Sequence, residues 1–187
     1  MTNINPGEKV LFDTNIFIYS ALDHPKYGNP CTQLIHEVES GKIEGFVPTI
    51  VLNELLHRLM ITEVIERGFA VNTVEAIKIL RNDKNMIQSL DICWDEIDRI
   101  FEMGFIILKE KFNTFAESLL ISQRYSLLAT DAYIISFAKS YNIGNITTND
   151  SDFERVAQIA KRKQVPEFSW DRSVEEFLKI LEFTRKR

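Results

Sequence analysis

The chain has 187 residues, 45% hydrophobic and 26% charged, with a net charge of −5 and a pI near 5.3. These values suit one globular domain with a sizeable core and advertise no global basic field for nucleic acid, although a local patch needs no basic total. Two cysteines far apart, Cys31 and Cys93, signal neither a zinc site nor a disulfide framework and favour a reducing compartment.

The N-terminus MTNINPGEKV lacks the basic-then-apolar order of a signal peptide. No apolar run approaches the roughly 18 residues of a membrane span. The expected location is therefore the cytoplasm, without membrane contact.

In chain order, KVLFD after the Pro6-Gly7 turn reads as a buried strand, and TNIFIYSALD as a helix. HPKYGNP reads as a loop, with Pro30 in the first turn of the helix CTQLIHEVES that Gly41 closes. EGFVPT is a second strand. Pro48 is expected to end its pairing, and Thr49 to cap the helix IVLNELLHRLMITEVIER. Helical patterns fill residues 68–104, with apolar Val74, Ile77 and Leu80. GFIILK is a third strand, FAESLLISQRYS and DAYIISFAKSYN are helices, and GNITT is a fourth strand. NDSDFERVAQIA, a fifth strand at EFSW and the helix SVEEFLKILEFTRKR complete the chain. Strands alternating with helices predict a largely parallel sheet of four to five strands with helices on both faces. No repeat or linker marks a second domain, so residues 1–187 read as one domain with a helical insertion around 62–104.

Ligands of open α/β sheets gather beyond the carboxyl ends of the strands. Asp13 ends the first strand, Glu54 lies early in the helix after the second, and Asp150 and Asp152 follow the fourth. Asp131 opens the helix leading into that fourth strand. Local explanations exist for most of them: Asp131 as a helix-start residue, NDSD as turn chemistry, Glu54 on a solvated face opposite Val51, Leu52, Leu55, Leu56 and Leu59. Asp13 is harder to dismiss, because an acid inside an apolar run costs several kcal/mol to bury without compensation. Carboxylates brought together repel one another, and a divalent cation relieves that repulsion. Oxygen donors suit Mg²⁺ or Mn²⁺.

FDTNIFIYSAL, VPTIVLNELLHRL, ATDAYIISFAKSYNI and ITTNDSDF resemble, in order, the four acidic motifs of PIN-domain ribonucleases, with VapC-type toxins the nearest subgroup by chain size. The resemblance covers residues 9 to about 160, apart from the helical stretch between Glu54 and Gly104. It implies a PIN-like α/β/α sandwich and an acidic quartet, Asp13, Glu54, Asp131 and Asp150, that holds Mg²⁺ or Mn²⁺. Asp152 would be an auxiliary acid, and Thr14, Asn15 and Thr148 would orient the acids or a water. It further implies metal-dependent hydrolysis of RNA phosphodiester bonds, and a small antitoxin as partner if the protein is the toxin of a pair. The departure from the compact toxins is the longer stretch between Glu54 and Asp131.

Arg58, one turn beyond Glu54, is a candidate to bind the RNA strand. Lys139, Arg155 and the run Lys161, Arg162 and Lys163 are others; solvated helix faces are their ordinary explanation. His24, His36 and His57 have no catalytic spacing and read as surface or structural. The apolar positions of the insertion call for cover by a second copy, giving a homodimer, by a small partner, or by packing onto the same domain. Two other functions compete. An aspartyl-nucleophile phosphatase would want a second acid at position 15, which is Asn. A non-catalytic PIN-like RNA-binding or assembly module often lacks acids that this chain keeps.

Overall fold

A computed structural model of the chain describes residues 4–153. The expected fifth strand at residues 167–170, the terminal helix, most of the helix after NDSD, and the cations Arg155, Lys161, Arg162 and Lys163 lie outside the described residues. Four strands form one sheet: β1 (Lys9–Phe12), β2 (Glu44–Pro48), β3 (Ile106–Leu108) and β4 (Asn145–Thr147). Their order is β3-β2-β1-β4 and every pairing is parallel. The fold is α/β, as the alternation of elements predicts.

β1 occupies an interior position because it can be buried on both sides. Val10, Leu11 and Phe12 have no exposed surface, the continuous apolar run expected of a strand inside a parallel sheet. Leu11 is in register with Phe46 on one side and Ile146 on the other. Phe105 packs edge-on against Phe12 and Phe17, with ring centroids 5.0 and 5.3 Å apart. Gly45 makes room for it: a Cβ there would stand 2.7 Å from both the Phe105 ring and Val38.

The described residues form two compact units. The first runs to Leu108 and includes Asn145–Thr148, hence the whole sheet. It also carries α1 (Thr14–Ala21), α2 (Gly28–Glu39), α3 (Thr49–Glu66), α4 (Thr73–Asn82), α5 (Lys84–Gln88) and α6 (Ile92–Glu102). The second comprises Lys109–Gly144 and the residues from Asn149 on, with α7 (Thr114–Tyr125) packed on α8 (Ala129–Ser140).

Two local expectations change and one holds. α2 begins at Gly28, before Cys31, because the Gly28 N–H already bonds the His24 carbonyl at 2.7 Å; Pro30 still falls in the first turn. A Cβ on Gly28 would approach the Asp23 backbone to 3.0 Å, so glycine permits this tight entry. Pro48 ends the pairing as expected: it is the last residue of β2, in register with Leu108. Pro48 also takes the cap position of α3 with φ −63° and ψ 144°, a conformation its ring favours, so Thr49 is the first helical residue and not the cap.

α4, α5 and α6 occupy the expected insertion, and α4 and α6 pack on α3. Val74 is 79% exposed whereas Ala76 has no exposed surface, so the buried face of α4 centres on Ala76 rather than on a stripe through Val74. The tie between α3 and α6 is Glu63, which is buried. Its Oε1 accepts the Asp91 N–H and its Oε2 the Cys93 N–H, both at 2.9 Å, and it pairs with Arg67. Asp91, the residue before α6, makes no capping bond of its own, so a carboxylate from another helix satisfies these N-terminal donors. Burial pushes the Glu63 pKa up, but the N–H groups of Asp91, Cys93 and Ile92 and the Arg67 guanidinium outweigh it and hold the group below the usual range.

Candidate functional site

The carboxyl end of β1 hands directly into α1, and Asp13 stands at the junction. Its backbone is extended (φ −87°, ψ 158°) and its side chain caps α1, with Oδ1 accepting the Thr14 N–H at 2.7 Å. The Asp13 N–H bonds the Thr147 carbonyl at 3.1 Å, which continues the β1–β4 pairing by one residue. That pairing brings Thr148 alongside. The Thr148 hydroxyl donates to Asp13 Oδ2 at 2.7 Å and accepts from Asn15 Nδ2 at 3.3 Å.

A second acid joins through Thr14, which is buried. Its hydroxyl donates to Glu54 Oε2 at 3.1 Å. Glu54 lies beside the buried stripe Val51, Leu55 and Leu59 of α3, not on a fully solvated face; its side chain is 27% exposed. Its other oxygen pairs with Arg58 Nη2 at 2.7 Å. Asn15, Thr148, Asp13, Thr14, Glu54 and Arg58 thus form one connected polar chain drawn from β1, α1, α3 and the end of β4.

The remaining acids belong to the second unit. Asp131 lies in the first turn of α8, half-buried, and the cap position before it is Leu128. Asp150 is exposed in the turn after β4, and its Oδ1 accepts the Asp152 N–H at 2.8 Å, a local Asx turn. Among the described residues, no group of three or more His, Cys, Asp or Glu side chains is gathered so as to hold a metal ion.

The donors in the Asp13 chain are carboxylate, hydroxyl and amide oxygens, the hard set that suits Mg²⁺ or Mn²⁺ rather than zinc. Neither cysteine competes. Both are buried; burial raises the Cys31 pKa, and burial together with Glu63 pushes Cys93 up to about 12, so neither offers a thiolate near neutral pH. The histidines stand apart as well. His24 Nδ1 accepts the Lys26 and Tyr27 N–H groups, both at 3.2 Å, His36 pairs with Glu39, and His57 is exposed.

Lys139, a candidate strand-binding cation, is instead engaged with Glu117 of α7. Glu117 is only 4% exposed, and its Oε2 has no hydrogen-bond partner among the described residues. Neither Glu117 nor Glu63 is among the residues that the sequence singles out. The available signal was the same in both: an acid embedded in an otherwise apolar helical stretch.

A buried acid at the carboxyl end of β1, tied to a second acid on the helix after β2, stands at the edge of the sheet where open α/β proteins as a class take their ligands. The family follows from comparison with known proteins: the PIN domain model matches residues 10–159, and the chain belongs to the PIN domain family. The chain is 31% identical over 150 residues to Ribonuclease VapC2 of Methanocaldococcus jannaschii, spanning 79% of this chain and 89% of that protein. Ribonuclease VapC6 of the same organism is 36% identical over 63 residues, 33% of this chain and 41% of that protein. Among solved structures, VapBC2 from Rickettsia felis bound to a DNA fragment from its promoter is similar at 19% identity and a TM-score of 0.48, covering 79% of this chain and 92% of the other. A toxin-antitoxin complex from Klebsiella pneumoniae is similar at 19% identity and a TM-score of 0.45, covering 77% and 89%.

Proposed function

We propose that the protein is a divalent-metal-dependent endoribonuclease that acts as the toxin of a toxin-antitoxin pair in the cytoplasm. The observation that carries this is the buried Asp13 at the carboxyl end of β1, joined to Glu54 through Thr14. The likeness to Ribonuclease VapC2 over most of both chains supports the choice of RNA as substrate.

Asp13, Glu54, Asp131 and Asp150 would hold Mg²⁺ or Mn²⁺, with Asp152 as an auxiliary acid. When bound, such a cation lowers the pKa of a water and offsets negative charge developing on the scissile phosphate. Thr14 and Thr148 fix the two oxygens of Asp13 in direction, and Asn15 fixes Thr148. Thr14 does the same for Glu54. Arg58 supplies the positive charge for the RNA backbone. The partners would be a small antitoxin and a second copy of the chain; Phe69, Val71 and Val74, all at least half exposed, are apolar side chains that such a partner would cover.

The test is cleavage of a defined single-stranded RNA with Mn²⁺, compared with phosphate release from a small monoester. Cleavage should require the metal, fall to background in Asp13→Asn, and be accompanied by no monoesterase activity. Metal-independent cleavage, or monoesterase activity alone, would refute the proposal.

A further inference from the structure

Both oxygens of Glu54 are already engaged. Oε2 accepts from Thr14 at 3.1 Å, and Oε1 pairs with Arg58 at 2.7 Å. The Thr14 bond comes from a buried residue at the start of α1 and belongs to the scaffold. The Arg58 bond is different in kind. It is an i,i+4 pair along α3 whose basic partner is 56% exposed, the weakly held class of ion pair. It is weak enough for a divalent cation to displace, and the guanidinium is free to swing into solvent once displaced.

We propose that Arg58 is a built-in competitor of the metal. This rests on the metal-dependent reading above and adds the regulation of the same site. In the metal-free protein Arg58 holds Glu54 and supplies its counter-charge. A cation arriving at Glu54 takes that carboxylate over and repels the guanidinium, which then turns outward to the phosphate backbone, an anion its planar fork suits. The two events are linked and reciprocal: RNA that draws Arg58 away strengthens metal binding by the same factor that metal strengthens RNA binding.

The experiment is calorimetric titration of the full chain with Mn²⁺, without RNA. Arg58→Ala should bind Mn²⁺ on the order of three- to tenfold more tightly than the wild type, since unit charges about 4 Å apart interact by about 1 kcal/mol even in water. Alanine is a good helix former, and circular dichroism verifies that α3 survives. Arg58→Lys keeps the charge and should bind Mn²⁺ within about twofold of the wild type. In steady-state cleavage both variants should raise KM with kcat little changed, Arg58→Ala because the charge is gone and Arg58→Lys because a point charge does not reproduce the bidentate fork. Unchanged or weaker Mn²⁺ binding by Arg58→Ala, with a wild type that binds Mn²⁺, overturns the competitor role and leaves the nuclease reading standing. Absence of Mn²⁺ binding in all three proteins removes the metal reading, and this proposal with it.

Discussion

Replacing Asp13 by Asn separates the architectural duty of this residue from its charge. As the cap of α1, Asn serves about as well as Asp, so the 2.7 Å bond from Thr14 N–H to Oδ1 should survive. The change falls on Oδ2, where an NH₂ replaces an acceptor and confronts the Thr148 hydroxyl. Loss of a hydrogen bond to a charged group costs about 1.5–3 kcal/mol. Part of that returns, because the Thr148 hydroxyl can rotate and accept from the new amide, giving up its present geometry with Asn15. Removal of a buried charge returns more. The net expectation is a loss of about 1 kcal/mol, hence a melting temperature lower by about 2–4 °C for a protein of this size. Thermal melts in EDTA measure it, and RNA cleavage with Mn²⁺ measures the accompanying loss of activity. A variant destabilised by more than about 3 kcal/mol would show that the hydrogen-bond assignment around Thr148 is wrong. A folded variant with wild-type turnover would remove Asp13 from the chemistry.

Mn²⁺ or Mg²⁺ should raise the wild-type melting temperature, by about 2.7 kcal/mol of added stability at 100 times Kd, and Asp13→Asn should lose most of that shift. Asp23→Asn is the control, since Asp23 has a positive φ of 44°, which Asn also tolerates; equal responses of the two variants would refute the metal site. Glu63→Gln should cost about 2–3 kcal/mol, because the new NH₂ must face either the Asp91 or the Cys93 N–H. The folded Glu63 pKa lies below its unfolded value, so its contribution is complete above the unfolded value of about 4.3 and is lost as pH falls through the folded one; wild-type and variant melting curves that fail to converge in acid would contradict this. Lys139→Met should cost about 3 kcal/mol in urea melts by leaving the buried Glu117 uncompensated, whereas Glu117→Gln should cost less than about 1 kcal/mol, its Oε2 being unpartnered among the described residues; the reverse order would refute the pairing.

β1 was legible because its three apolar residues and terminal acid leave few alternatives: such a run must be buried, and the acid must sit at its end. The α3–α6 tie is only partly legible. Apolar neighbours around Glu63 signal burial, but Glu63 and Arg67 four apart also fit an ordinary solvent-exposed pair; what buries Glu63 is α6 folding back with its N–H groups aimed at it. The Glu54 position was half legible. Helical periodicity separates it from Val51, Leu55 and Leu59, but its contact with Thr14 joins residues 40 apart and depends on α1 packing against α3. The start of α2 departs from expectation because a Gly-Asn-Pro run reads as a breaker, whereas here glycine admits a close approach to Asp23 and proline suits a first turn.

The hydrogen bond from Thr148 to Asp13 spans 135 residues, which sets an order of events during synthesis. Asp13 emerges from the ribosome early, while the strand that pairs beside it and the hydroxyl that orients it are still untranslated. At roughly 5–20 residues per second, the delay is on the order of 10 s. A nascent chain truncated or stalled anywhere before β4 therefore lacks the oriented Asp13 carboxylate. For the nuclease proposed above, made among RNAs, the parallel β1–β4 pairing would work as a timer that withholds a finished site until translation of this region is nearly over.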